Sequence, residues 1–211
     1  LYNLYTANGD FIALCDGDDF WLNEDKLQIQ YDALMAHPEI NLATHPSIRK
    51  VDTTSIDKGL AGYYGDTGKV LTAHEIIVSN GAACPSQAIF FRVDVVKKIK
   101  GYFIDAPGAH MHIQNLAAIG DGAVYTPKPM ACYRIQSTTS VMKMYKQDKV
   151  GFYNWLISTN KVLSGFIDDF PEFGKSFTYA MNNNYFSLVR SGKTSIKQKF
   201  SAILKARYPQ F

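Results

Sequence analysis

The segment Asp16-Gly17-Asp18-Asp19 sets three carboxylates within four positions, directly after the apolar run Phe11-Ile12-Ala13-Leu14-Cys15. Like charges this close repel, and a fold keeps them together only where a cation or strong hydrogen-bond donors offset the charge. Hard oxygen ligands suit magnesium or manganese, which commonly take one or two carboxylates and fill the rest of their shell from substrate phosphates. In an extended segment alternate residues face one way, so Asp16 and Asp18 are expected on one side and Asp19 on another. Gly17 would leave the backbone open to a bulky ligand. A calcium loop matches at its first and third positions, Asp16 and Asp18. It fails at the sixth, where Trp21 replaces glycine, and at the twelfth, where Leu27 replaces glutamate. A plain acidic turn is the bland alternative, and the position of the cluster straight after a buried strand argues for the metal.

The elements that must position these acids follow from the pattern around them. The apolar run is bounded by Gly9-Asp10 and by the acids, which predicts a strand covered on both faces in a parallel sheet. In open α/β sheets ligands bind at the carboxyl ends of such strands. Asn23 can cap a helix with Glu24 and Asp25 in its first turn and Leu27, Tyr31, Leu34 and Met35 on one stripe, ended near His37 by Pro38. A second strand is expected over 41–51, a polar, glycine-rich loop bordering a substrate site over 53–72, and a strand over 88–92. Helices follow at 94–100 and 111–119, stopped by Gly101 and Gly120, and strands at 123–126 and 130–135 flank Pro127-Lys128-Pro129. From Met142 the pattern is helical, broken into three helices at Asp168-Asp169-Phe170-Pro171 and Ser191-Gly192. The last carries Ile196, Phe200, Ile203 and Leu204 on one stripe and lysines elsewhere. The chain thus divides into an α/β part, 1–141, and a helical extension, 142–211.

Composition narrows the class. At 211 residues, 46% hydrophobic and 13% aromatic, with no repeat or low-complexity tract, the chain has ample material for a core. Cys15, Cys84 and Cys132 are odd in number, widely spaced and set in apolar stretches, which reads as buried thiols of a reducing compartment. No run has the length of a membrane span and nothing resembles a signal peptide, so the cytoplasm is the expected compartment. The net charge of +3 is too small to suggest nucleic acid, yet it is uneven. From Gly174 onward Lys175, Arg190, Lys193, Lys197, Lys199, Lys205 and Arg207 stand without an acid, leaving the first 173 residues at −4. This tail reads either as a contact with an anionic membrane surface or as a solvated helix face. The chain opens at Leu1 and reaches a buried strand within ten residues, so it is expected to begin inside a domain.

The run from Ala7 to Gln30 resembles the centre of family 2 glycosyltransferases, which have the GT-A fold. It matches at Gly9, the apolar strand, the Asp-x-Asp motif, the aromatic pair Phe20-Trp21 and the helix opening Lys26-Leu27-x-x-Gln30. More weakly, Ser86 to Arg92 resembles the family's acceptor-side strand, and Tyr133-Arg134 its Tyr-Arg pair after the last core strand. The resemblance implies a GT-A-like, Rossmann-type mixed sheet, incomplete at its N-terminus, with a C-terminal helical appendage. It further implies an inverting transfer, in which an acceptor hydroxyl attacks the sugar's anomeric carbon as nucleoside diphosphate departs. Mn2+ or Mg2+ would stabilise the leaving group. The donor would be a nucleotide-diphosphate sugar and the acceptor a glycan or lipid-linked precursor, as in cell-surface polysaccharide biosynthesis. By position, Asp18 would ligate the metal that bridges to the diphosphate, and Asp16 would contact the ribose or metal-bound water. Asp19 would orient the loop. Trp21 would line the donor or acceptor pocket or serve the core, and Arg134 would neutralise diphosphate charge or form a partly exposed ion pair.

The sequence departs from the family pattern where the general base is expected, just before the helix near Met111. The segment reads Asp105-Ala106-Pro107-Gly108-Ala109-His110-Met111-His112, with His110 where the acid should stand and Asp105 the nearest carboxylate. His110 reads as base, metal ligand or polar surface residue, and His112 as structural. The pair lacks a third ligand for zinc. Gln136 stands where the family often has a histidine, which leaves the metal to Asp18 and phosphate. These departures keep open a second reading, a catalytically impaired GT-A module that binds nucleotide-sugar or protein partners. A nucleotidyltransferase is disfavoured because the chain shows no glycine-rich phosphate loop.

Overall fold

A computed structural model describes residues 2–51, 57–103, 107–135, 148–190 and 195–207; Asp105 and Gln136 lie outside them. The chain divides into two compact units, one built on Leu1–Ile104 and Gly108–Thr139, the other on Asp105–Pro107 and Ser140–Phe211.

In the first unit α1 (Tyr2–Tyr5) precedes β1 (Phe11–Ala13) and β2 (Phe20–Trp21), with the acidic segment between the two strands. There follow α2 (Lys26–Met35), β3 (Leu42–Thr44), β4 (Ser47–Val51), β5 (Asp57–Ala61) and β6 (Lys69–Leu71). After α3 (Ala73–Val78) come β7 (Phe90–Arg92), α4 (Ala109–Ala118), β8 (Ala123–Tyr125) and β9 (Ala131–Ile135). The strands make two mixed sheets, one in the order β1-β7-β3-β8-β6, the other β2-β9-β4-β5. Among the described residues β3–β8 and β4–β9 are the parallel pairs.

The run before the acids is a short edge strand, paired antiparallel with β7, rather than a strand inside a parallel sheet. Its apolar side chains serve packing: Ile12 is buried, and the Phe11 ring stacks on Phe90 at 5.2 Å and meets Tyr31 edge-on at 5.3 Å. The single strand expected over 41–51 is two strands, one in each sheet. Pro46 supplies no N–H for a ladder, so pairing breaks at His45-Pro46 and the chain passes from one sheet to the other.

Helix α2 forms where expected but buries a different face. Leu27, Tyr31 and Met35 are exposed, whereas Lys26, Gln30 and Leu34, four residues apart, are buried. Buried polar groups are costly unless paired, and these are paired. Lys26 Nζ donates to Gln30 Oε1 at 2.7 Å, and Gln30 Nε2 donates to the carbonyls of Ala88 at 2.8 Å and Ala43 at 3.3 Å. The helix is therefore tied to the sheet by polar bonds as well as by the apolar cluster of Leu34, Ile40, Ala43, Phe90 and Val124. Asn23 accepts the Asp25 N–H at 2.8 Å and makes a turn before the helix instead of its cap.

The expected loop over 53–72 contains β5 and β6 and ends in a capping box. Thr72 Oγ1 accepts the Glu75 N–H at 3.2 Å and Glu75 Oε2 accepts the Thr72 N–H at 2.7 Å, which starts α3. The helix expected at 94–100 is a 3-10 helix, Val93–Lys98. Helix α4 starts two residues early, after Gly108 in the left-handed region at φ 68°.

Among the described residues the second unit holds three α-helices, α5 (Lys149–Asp169), α6 (Gly174–Arg190) and α7 (Ile196–Arg207). Leu156, Tyr185, Leu188 and Ala202 form its core, and Asn184 Nδ2 donates to Asn160 Oδ1 at 2.7 Å.

Candidate active site

β1 delivers the chain to the acids, and there it turns: the Asp19 N–H donates to the Asp16 carbonyl at 3.0 Å. The segment is thus not extended, and the alternation expected to align Asp16 with Asp18 does not operate. Three sets of bonds fix the turn. The Leu14 N–H donates to the Ile89 carbonyl at 3.0 Å. Phe20 and Trp21 pair with Cys132 and Ala131 of β9. The Arg134 N–H donates to Asp19 Oδ1 at 2.8 Å, while Arg134 Nε donates to the Asp18 carbonyl.

The two ends of the turn differ. The Asp16 carboxylate is exposed and accepts the Ser86 hydroxyl at 2.6 Å. Ser86 is buried at the start of the 3-10 turn Ser86–Ala88 that leads into β7. Both residues lie on the wall of a cleft of about 470 Å³, with Arg49, Gln87, His110 and Tyr133. Arg49 and Tyr133 are lateral partners in β4 and β9 and so share a sheet face. Gly62 and Gly81 complete the wall with φ of 64° and 93°; a Cβ at Gly62 would lie 2.5 Å from Pro85 Cδ. At the other end, burial pushes the Asp19 carboxyl up to about 6, against the pull of the Arg134 N–H and with the neighbouring charges of Asp18 and Asp16. Asp19 Oδ2 is buried without a hydrogen-bond partner.

His110 sits on the cleft wall at the start of α4. Burial lowers its pKa and the Asp16 charge opposes this, so the imidazole is neutral at neutral pH and able to accept a proton. Trp21 is not on this wall: the Lys26 ammonium lies 4.3 Å from its ring centroid, a cation–π contact. Burial lowers Lys26 to about 8. His45 is lowered to about 4, chiefly by burial. Its Nδ1–H donates to the Pro46 carbonyl at 2.8 Å, and its Nε2 is buried and unpartnered. Cys15 is exposed, contrary to expectation, because the chain has already left β1 there; Cys84 and Cys132 are buried.

The structure brings Asp16 and His110 to one cleft, while Asp18, Asp19, Trp21 and Arg134 are not on its wall. Asp105 lies outside the described residues. His112 is buried in α4 with its ring edge-on to Phe103 at 5.6 Å, a packing role. Sequence reasoning gave no role to Arg49 or Gln87; a lone arginine in a strand otherwise bound for a sheet was the available signal. Among the described residues no group of three or more His, Cys, Asp or Glu side chains is arranged to hold a metal ion. The turn offers hard carboxylate oxygens, and Asp16 keeps its carboxylate open to the cleft. That donor set suits a magnesium or manganese ion that completes its shell from phosphate and water, and not a cage made by the protein alone.

No protein-family model matches the chain. Uncharacterised proteins of Mycobacterium bovis and of two Mycobacterium tuberculosis strains are 44% identical to it over 43 residues, which is 20% of this chain and 12% of theirs. Among solved structures, Staphylococcus aureus TarS 1–349 in complex with UDP-GlcNAc superposes with a TM-score of 0.63 at 14% identity, over 97% of this chain and 60% of that one. A second TarS structure gives 0.60 at 14% identity, over 95% of this chain and 34% of that one. The chain therefore has a mixed α/β fold of the kind seen in GT-A-like glycosyltransferases. It spans well under two thirds of the length of the mycobacterial relatives and less than two thirds of either TarS chain.

Proposed function

We propose that this chain is part of a metal-assisted inverting glycosyltransferase of family 2 type, moving a sugar from a nucleoside diphosphate to a hydroxyl of a glycan or lipid-linked acceptor. On this reading residues 1–141 belong to the catalytic domain and 142–211 form its helical extension. The observation that carries the proposal is the setting of Asp16, an exposed carboxylate oriented by Ser86 at 2.6 Å on the wall of a cleft that also presents a cation and a neutral imidazole. The likeness to TarS, solved with UDP-GlcNAc, makes a UDP-sugar the first donor to try.

Asp16, on the cleft wall, would hold Mg2+ or Mn2+ together with diphosphate oxygens; when bound, the ion supplies charge stabilisation to the leaving diphosphate. Arg49 on the cleft wall adds positive charge for the diphosphate. Arg134 acts on the turn, since its N–H and Nε are spent on Asp19 and Asp18, and its role is to hold the acids in register. The cleft volume of about 470 Å³ suits a nucleotide-sized ligand. His110 is the base of choice, and Asp105 the alternative.

The test is sugar transfer by the full-length protein with Mn2+ and a panel of UDP-, GDP- and dTDP-sugars. Transfer that is lost in Asp16→Ala and in His110→Ala supports the reading with His110 as base; transfer that survives His110→Ala moves the base elsewhere. Donor binding without transfer would establish the impaired-module reading. Calorimetric titration that finds neither nucleotide nor metal binding would overturn both.

A further inference from the structure

The last helix turns its apolar side outward. On α7, Ile196, Phe200, Ile203 and Leu204 follow the i, i+4, i+7, i+8 spacing of a single stripe, and such a stripe ordinarily faces a core. Here Ile196 is 88% exposed and Phe200 63%, and Ile203 and Leu204 are exposed with them. The residue that packs inward is Ala202, in the cluster with Leu156, Tyr185 and Leu188. At 100° per residue Ala202 lies on the side of the helix opposite the stripe. Lys197 and Lys199 fall on either flank of the stripe, and no acidic residue occurs anywhere after Gly174.

We propose that the exposed face of α7 docks on an anionic lipid surface, with the four apolar side chains entering the headgroup boundary and the flanking lysines meeting lipid phosphates. Charge selects this occupant. A second copy would bring the same cations to the contact, and like charges across an interface are unfavourable. An anionic bilayer complements the lysines and takes up the stripe, as amphipathic interfacial helices with flanking Lys do. The stripe spans nine residues, Ile196 to Leu204, about 12 Å of helix, which suits lying in the interface; among the described residues no helix is long and apolar enough to cross a membrane. The proposal is independent of the chemistry assigned to the cleft.

The experiment is co-sedimentation of the protein with phosphatidylcholine vesicles, with and without one third phosphatidylglycerol, at low and physiological salt. Binding is expected on the anionic vesicles and not on the neutral ones. Lys197→Gln with Lys199→Gln should weaken it by about fivefold per lysine, and Phe200→Ser with Ile203→Ser by about tenfold or more. Phe200 and Ile203 are exposed, so the Phe200→Ser, Ile203→Ser variant should keep the parent's thermal midpoint. Amide exchange of α7 provides a second readout: vesicles should protect this segment in the parent. Three results would overturn the proposal. The first is no binding to anionic vesicles. The second is binding unchanged in the Phe200→Ser, Ile203→Ser variant. The third is a parent dimer that this variant dissociates, which would assign the face to a second copy.

Discussion

Asp16 and Asp19 stand three residues apart in one turn and meet opposite surroundings. Asp16 is exposed, oriented by a neutral hydroxyl and open to the cleft. Asp19 is half-buried, holds a backbone N–H, keeps one oxygen without a partner and is driven up to about 6. The difference teaches that adjacent like charges can serve separate roles, one end of the turn open to the cleft while the other anchors the turn to β9. If the proposed function holds, Asp16→Ala is expected to cut sugar transfer by about a thousandfold, in the range of other losses of transition-state charge stabilisation. Its thermal midpoint should stay near that of the parent, because surface changes seldom move stability by more than about 0.5 kcal/mol. Initial rates and a melting curve check both halves. A large fall in midpoint would break the comparison.

Behind the turn, burial governs charge, and pH can expose this. His45 is lowered to about 4 in the fold from an ordinary 6.5. As pH falls the unfolded chain takes up this proton first, so stability is lost between about 6.5 and 4, by on the order of 3 kcal/mol. Asp19 has the opposite sign, since its raised carboxyl adds stability as pH falls through about 6. Urea melts of the parent and of His45→Gln across this window isolate the histidine as the difference between them; parallel curves would show that His45 is charged in the fold. Smaller still is Asp19→Ala, expected to cost about 2 kcal/mol by leaving the Arg134 N–H without its acceptor. Asp19→Asn retains an acceptor and should recover most of that loss.

The acid cluster, its position after an apolar strand and the three terminal helices were legible in the sequence because each rests on local spacing. What escaped depended on tertiary partners. Apolar spacing marks Leu27, Tyr31, Leu34 and Met35 as the inner face of α2; of these Leu34 is inside, and Lys26 and Gln30 are inside with it. Their partners are each other and the carbonyls of Ala43 and Ala88, which no window around the helix contains. The same holds for α7, whose stripe is legible as a pattern but faces solvent. Arg49 was invisible as a cleft residue until its pairing with Tyr133 put both on one face. Thr72 and Glu75 were a missed signal: their capping-box spacing is present in the sequence and announces α3.

Ser86 offers the finest probe of the open end of the turn. Its hydroxyl donates to Asp16 at 2.6 Å and is also 3.2 Å from Gln87 Oε1, and one proton cannot serve both acceptors fully. The shorter, charge-assisted bond is the stronger. Ser86→Ala leaves Asp16 charged and exposed, so water replaces the lost donor and the carboxylate loses orientation without being buried unpaired. The expected cost is about tenfold in kcat/KM for the donor, the scale of one hydrogen bond to a charged group, and well short of the loss in Asp16→Ala. Ser86→Thr keeps the hydroxyl and should restore most of the rate. An Ala variant as impaired as Asp16→Ala would show that Ser86 itself meets the ligand, whereas a Thr variant no better than Ala would trace the effect to packing around the 3-10 turn.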